Sequence, residues 1–396
     1  MLKFAIRRNL IYPMQYLLWT VLRDVESYLI GYFLDLNNLF IYTPLMFLGE
    51  LLAGLIFYLY QKQFFSKNKI KKFSHFFTPE FIKSKQDLAK DGKITIIFII
   101  FSIGLYDFIQ FFLSFPISKF ITISGSLEQR LRGTFTITTA LFYYYILRLP
   151  IFKHQLFSLV IIGICVLIVI ITEFIFQEFN IFLSYGQFII VLVFIFLMQF
   201  FCSLEQSIEK YLFEYNQLNP FLVLMIEGIF GFIFCFIYSF FQNPFDDIIQ
   251  FKNSKSTSEF SVLILGLILY VVLSGGKNIF RVVTTKIYSP MTTTFIEYIF
   301  NPFYFIYYFA SGNDFKSFGK RNYVYFIINL IISFFMTIFG GVYNEFLILF
   351  CCGLERNTHS QVIKRADDEK DFNILLDNDE EQESVTSGYV IPMKNI

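Results

Sequence analysis

The stretch Leu156–Ile171 reads LFSLVIIGICVLIVII and carries no charge. About 20 apolar residues in a helix, rising 1.5 Å each, cross the roughly 30 Å hydrocarbon layer of a bilayer. With its flanks this stretch predicts a membrane span over roughly 155–176. Working outward, similar runs cover roughly 39–60, 94–115, 119–146, 184–209, 220–241, 260–280, 287–310 and 322–350. The runs are continuous rather than alternating, which predicts helices and not the strands of a barrel.

The composition agrees. The 396 residues are 56% hydrophobic and 16% charged, with a mean hydropathy of +0.58. A soluble domain needs far less apolar surface. The net charge of +1 argues against a nucleic-acid partner; the expected partners are the lipid bilayer and a small-molecule substrate. The 57 phenylalanines fit an AT-rich codon bias and are not read as a ligand box. None of the five cysteines forms a C-x-x-C pair, and the three histidines fall in loops or the tail. No metal site, cofactor or catalytic group is therefore expected, and the chain does not read as an enzyme.

Near the start, Lys3, Arg7 and Arg8 precede the apolar run LIYPMQYLLWTVL. Its length suits a signal-peptide core, but no small-residue cleavage site follows. Arg23, Asp24 and Glu26 then interrupt it. The segment reads as a weak first span over roughly 10–33. The expected fold is all-α and polytopic, with ten transmembrane helices, or nine if this segment does not cross. Two five-helix halves are expected, over residues 1–176 and 184–350, followed by an acidic, disordered cytosolic tail over 353–396. In the loops between spans, fifteen Lys and Arg fall on the N-terminal side of the membrane and six on the other. That bias predicts cytosolic termini. Lys277, Arg281 and Lys286 are counted here as loop residues.

Charges within the spans are costly and so informative. In ITISGSLEQRLRGTFTITTALFYYYIL (121–147), helical spacing puts Glu128, Arg132, Thr136, Thr139 and Tyr143 on one stripe. Glu128 lies one turn before Arg132 and can pair with it. Gly125 and Gly133 permit close helix approach or local unwinding. Arg130 falls on another face and is expected to snorkel toward an interface. In SPMTTTFIEYIFNPFYFIYYFA (289–310), the same spacing aligns Ser289, Thr293, Glu297, Asn301, Tyr304 and Tyr308. Pro302 should kink that helix. One stripe centres on a cation and the other on an anion, four spans into each half. An odd-numbered repeat inserts with its second copy inverted, which puts a binding site between the halves.

Other intramembrane acids are Glu50, Asp107 and Glu227. Glu227 neighbours Gly228 and Gly231, a pattern for tight helix packing. A solvated helix end accounts for Glu205, Glu209 and Lys210. In the tail, Asp371, Leu375 and Leu376 form an acidic dileucine pattern of the kind read by sorting adaptors, a pointer toward an endosomal, lysosomal or vacuolar membrane.

Four motifs in chain order, Phe47-Leu48-Gly49-Glu50, Gln129-Arg130-Leu131-Arg132-Gly133, Glu227-Gly228-Ile229-Phe230-Gly231 and Tyr343-Asn344-Glu345, resemble the drug/metabolite transporter superfamily. Within it, the solute carrier family 35 subfamily F group, related to nucleotide-sugar and EamA-type transporters, is the most similar. The resemblance covers about 40–355 and implies two inverted five-helix repeats, alternating access around a central cavity, and residence in endomembranes, including lysosomes and the Golgi. The expected function is secondary transport of a small polar metabolite, anionic or nucleotide-sugar-like. Arg132 would bind the substrate with Gln129, Thr136, Thr139, Tyr143, Thr293, Asn301 and Tyr304, and Glu297, with Glu50 or Asp107, would take a proton or counter-ion. The rival expectation is a non-transporting adaptor of the same fold that acts through its tail.

Overall fold

A computed structural model describes residues 2–4, 11–34, 41–66, 93–120, 125–149, 151–176, 185–216, 218–240, 249, 252–253, 256–299, 302–303, 306 and 320–349. The helices are α1 (Ile11–Leu34), α2 (Tyr42–Ser66), α3 (Lys93–Phe120), α4 (Gly125–Arg130), α5 (Gly133–Leu147) and α6 (Lys153–Phe176). They continue as α7 (Tyr185–Tyr215), α8 (Pro220–Ser239), α9 (Thr257–Ile287), α10 (Pro290–Tyr298) and α11 (Lys320–Tyr343). Seven of them, α2, α3, α6, α7, α8, α9 and α11, are long and apolar enough to cross a membrane. The chain is an all-α, multi-pass membrane protein.

The stretch that fixes this reading now has two faces. Leu156, Val160, Ile164, Leu167 and Ile171 form an exposed stripe along α6, each at least half exposed. Ile162, Val166 and Val169 on the opposite face are buried, the two valines in a cluster with Leu131, Val191, Ile195 and Met336. An apolar ridge this long would be a severe liability in water and is ordinary in lipid. Inside the bundle, large residues such as Phe47, Ile103, Leu212 and Leu224 are fully buried.

Helix starts follow local chemistry. Asn219 accepts a hydrogen bond from the Phe221 amide ahead of Pro220, and Ser289 accepts one from Thr292 ahead of Pro290. Ser256 and Glu259 form a reciprocal capping box at α9.

The principal helix contacts are α2 with α8, α1 with α9, α3 with α7, α2 with α9, α3 with α8, α5 with α7, and α6 with α11. The α2–α8 crossing brings two backbones into contact. A Cβ on Gly54 would lie 2.7 Å from the Met225 nitrogen and 2.9 Å from the Phe221 carbonyl oxygen. A Cβ on Gly228 would lie 2.6 Å from the Leu51 nitrogen and 2.8 Å from the Phe47 carbonyl oxygen. Only glycine fits where backbones touch in this way. A Cβ on Gly133 would press on Met336, Val166 and Ile162. Gly231 faces the Phe47 ring.

Three expectations need correction. The eighth span does not stop near residue 280. Helix α9 runs to Ile287, so Lys277, Arg281 and Lys286 all lie within it and not in a loop. Removing these three leaves twelve of the fifteen inside charges against six, so the bias keeps its sign. Second, Arg130 does not snorkel: it is 4% exposed, ion-paired with Glu173 and hydrogen-bonded to Tyr325 (2.5 Å) and Asn329 (3.2 Å). Third, Glu205, Glu209 and Lys210 are not a solvated helix end; all three are buried.

The chain's two described ends meet. Strand β1 (Leu2–Phe4) pairs antiparallel with β2 (Leu347–Leu349), Leu2 opposite Leu349 and Phe4 opposite Leu347. Helix α1 covers the expected weak span, and its charges Arg23, Asp24 and Glu26 set it apart from the seven apolar helices.

A charged cavity between the helices

Residues from α1, α2, α3, α4, α5, α7, α9 and α10, with Arg132 of the α4–α5 turn, line a partly open cavity of about 250 Å³. Its lining carries Arg23, Arg132, Lys277 and Arg281 on one side of the charge balance, and Glu50, Asp107, Glu128, Glu205 and Glu297 on the other. The uncharged lining is mixed, with Gln110, Ser114, Gln199, Gln206 and Asn278 beside Met46, Phe111, Phe135, Met198 and Cys202. A lining this polar, in the middle of an apolar bundle, holds water or a polar solute in preference to hydrocarbon.

One wall is built on Arg132. The fourth span breaks here: α4 ends at Arg130, and α5 begins at Gly133 after a two-residue turn. The Thr134 amide donates to Leu131 O at 2.9 Å, a three-residue reach that tightens the turn. The break presents Arg132 to Glu297 at 3.7 Å and to Glu128 at 3.9 Å, and its Nη1 donates to the Glu297 carbonyl oxygen at 3.3 Å. These are loose ion pairs. Glu297 is held more firmly from the far side, where the Tyr16 hydroxyl of α1 donates to it at 2.5 Å.

The opposite wall is built on Arg281. Its guanidinium meets Glu205 at 2.7 Å, Glu209 at 3.0 Å and Glu227 at 3.3 Å, from α7 and α8. Gln110 of α3 donates to the second oxygen of Glu205 at 2.6 Å. Three carboxylates around one guanidinium leave an excess of negative charge when all are ionised. Asn278 donates to Glu50 Oε1 at 2.5 Å, while Glu50 Oε2 and Glu227 Oε2 are buried with no hydrogen-bond partner among the described residues. Two sets of carboxylates, Glu50 with Asp107 and Glu227, and Glu205 with Glu209 and Glu227, each bring oxygens within 4.8 Å of one another. The second set surrounds Arg281, which already supplies a cation.

Several expected residues line this cavity: Arg132, Glu297, Glu50 and Asp107. Others lie elsewhere. Thr139 is buried and donates to Phe135 O of its own helix, and Thr136 is buried with its hydroxyl unpartnered among the described residues. Tyr143 sits near Glu214, Tyr215 and Tyr343, away from the lining. Thr293 donates to Gln206 Oε1 at 2.8 Å, and so touches the cavity through that side chain. Glu227 is an ionic partner of Arg281 in addition to neighbouring the packing glycines. The Gln129 side chain and residues Asn301, Tyr304, Tyr308, Asp371, Leu375 and Leu376 lie outside the described residues, as does the expected kink at Asn301-Pro302; Pro302 itself is buried.

Sequence reading missed Lys277, Asn278 and Arg281. A usable signal was present: Lys277 and Arg281 are four residues apart in GGKNIFRVVTTKI, a spacing that puts both on one face of a helix longer than the hydropathy window.

No protein-family model matches the chain, and no curated protein matches its sequence.

Proposed function

We propose that this protein is a secondary active transporter that moves a small polar metabolite by alternating access, with ten crossings arranged as two inverted five-helix halves. The observation that carries the proposal is the cavity. It is lined by opposite charges drawn from both halves, Arg132 and Glu128 from the first and Arg281, Lys277 and Glu297 from the second. Ionisable groups at that depth are expensive, and a water-accessible substrate path is their usual reason.

The packing pattern supports the inverted repeat. Counting α4 with α5 as the fourth crossing and α10 as part of the ninth, the first helix pairs with the eighth and the sixth with the third. The second pairs with the eighth, the seventh with the third, and the fifth with the tenth. Exchanging each helix for its counterpart five places on returns these same five contacts. Within the α2–α8 contact, Phe47, Leu51 and Gly54 match Phe221, Met225 and Gly228 in spacing and in role. Each triplet receives the other's glycine, as in the self-complementary interface of a two-fold pair.

Pairing of β1 with β2 brings both ends of the helical region to one side. That favours an even number of crossings, and so counts α1 as a span. The Lys and Arg bias favours cytosolic termini. This reading keeps the drug/metabolite transporter resemblance, and with it an endomembrane address, as proposals. In the transport cycle, Arg132 binds the anionic group of the cargo, and Glu297, Glu50 or Asp107 takes the proton or counter-ion.

Cavity size bears on the cargo. At about 250 Å³ it falls below the roughly 300–1,000 Å³ of sites for drug-sized ligands. This conformation favours a compact metabolite over a nucleotide sugar. The test is uptake into proteoliposomes of a panel of labelled polar metabolites. Wild-type protein takes up one class, and Arg132→Glu, still folded by size-exclusion chromatography, takes up none. Normal uptake by that variant removes Arg132 from the mechanism, and no uptake of any solute by wild-type protein removes the transport reading.

A further inference from the structure

We infer that the cargo is a compact zwitterion, a molecule that carries one ammonium and one carboxylate. The inference deepens the transport reading and rests on it for the cavity being a substrate site. Most charged side chains in the lining already have a protein partner. Arg23 pairs with Asp24, Arg132 with Glu128 and Glu297, and Arg281 with Glu205, while Glu50 accepts from Asn278. Two are left over. Lys277 and Asp107 both line the cavity, and neither has a hydrogen bond or ion pair to any described residue. They are opposite in sign and not ion-paired with each other; at longer range Lys277 faces Glu297 and Asp24, and Asp107 faces Arg281 and Lys277.

A charge held away from bulk water with no direct hydrogen bond or ion pair is costly, and an occupant that supplies one lowers that cost. Each end has the chemistry for one half of a zwitterion. Around Asp107, a carboxylate oxygen each of Glu50 and Glu227 lies within 4.8 Å of an Asp107 oxygen, and each of those two groups keeps one oxygen with no hydrogen-bond partner among the described residues. A primary ammonium donates three hydrogen bonds, and Asp107 and Glu50, both in the lining, can accept from it. At the other end, Lys277 supplies a cation for a carboxylate, and Arg132, in the same lining and held by ion pairs of 3.7 and 3.9 Å, shares that carboxylate with it. Lys277 sits one helical turn before Arg281 on α9, about 6 Å along the axis, which separates it from the acids that Arg281 already serves.

Other ligand classes leave one end unmatched. A simple anion compensates Lys277 and abandons Asp107. An amine or a metal ion does the reverse. A dianion brings its second charge against Glu50 and Asp107. The small cavity limits the distance between the two charged groups of the ligand.

The experiment uses purified full-length protein and thermal unfolding as the readout, since a ligand of the folded state raises its melting temperature by mass action. The probes are alanine, β-alanine and 4-aminobutanoate, set against propionate, butylamine, succinate and magnesium chloride at matched concentration and ionic strength. At least one zwitterion gives a saturable rise, and the single-charge and dianionic probes give none. Asp107→Asn and Lys277→Gln each weaken zwitterion binding by about tenfold or more, with unliganded melting and elution profiles checked first. If a variant does not fold, the wild-type probe comparison alone decides. A rise with succinate, butylamine or magnesium that equals the best zwitterion overturns the inference, as does a flat response to all three zwitterions. Proteoliposomes that take up a dianion but no zwitterion overturn this inference and leave the transport reading standing. Zwitterion binding with no uptake of any solute does the opposite.

Discussion

Gly54 and Gly228 occupy equivalent places on the two sides of one antiparallel helix crossing. Each lies seven residues after a phenylalanine, Phe47 or Phe221, whose backbone carbonyl cradles the other glycine. The crossing lies beside the cavity, because Glu50 of α2 lines it and Glu227 of α8 pairs with the lining residue Arg281.

That equivalence predicts paired mutational effects. Gly54→Leu and Gly228→Leu should each force α2 and α8 apart and lower stability by at least about 1–3 kcal/mol, the usual cost of overpacking. Thermal unfolding in detergent is the measurement. A large loss at one glycine and none at the other would break the correspondence.

Arg281 should matter most for stability. Removing it leaves Glu205, Glu209 and Glu227 without their shared cation, and loss of one partner from a buried ion pair costs about 3–5 kcal/mol. Arg281→Met should therefore unfold at a markedly lower temperature. Adding Glu209→Gln and Glu227→Gln to that variant should recover part of the loss, because the uncompensated charge is then gone.

Arg130 and Arg132 should separate cleanly. Arg130 is enclosed with Glu173, Tyr325 and Asn329, so Arg130→Leu should lower the melting temperature whatever its effect on uptake. Arg132 is held only by ion pairs of 3.7 and 3.9 Å at the cavity wall. Arg132→Gln should keep most of the stability and lose uptake. The check is to measure both variants for melting temperature and transport side by side.

Deletion of residues 354–396 should leave uptake in proteoliposomes unchanged and alter only where the protein resides in the cell. An adaptor acting through its tail would lose its function in the same experiment.

Much of this arrangement was legible in the sequence, and the failures share a cause. Long uncharged runs such as Leu156–Ile171 announce their helices because lipid and protein interior both accept them. Charges mark where hydropathy falls, and hydropathy cannot tell a loop from a buried network. Lys277 and Arg281 therefore looked like the end of a span, and Glu205, Glu209 and Lys210 like a wet helix end. In fact Arg281 draws Glu205, Glu209 and Glu227 together from α7 and α8. The meeting of Glu50, Asp107 and Glu227 from three helices is a tertiary fact with no local signature. The polar stripe on the fourth span was read as continuous, but the turn at Leu131–Arg132 interrupts it. Beyond the turn, Thr139 bonds back to its own helix, the ordinary habit of a helical hydroxyl.

Alternating access is tested most directly at Cys202, a free cysteine in the cavity lining. With the other four cysteines replaced by alanine, a membrane-impermeant maleimide is applied separately to right-side-out and inside-out vesicles. Cys202 should react from both sides, and a saturating substrate should change the two rates in opposite directions or protect both. Reaction from one side only, or from neither, with no response to any polar solute, would contradict a cavity that opens alternately across the membrane.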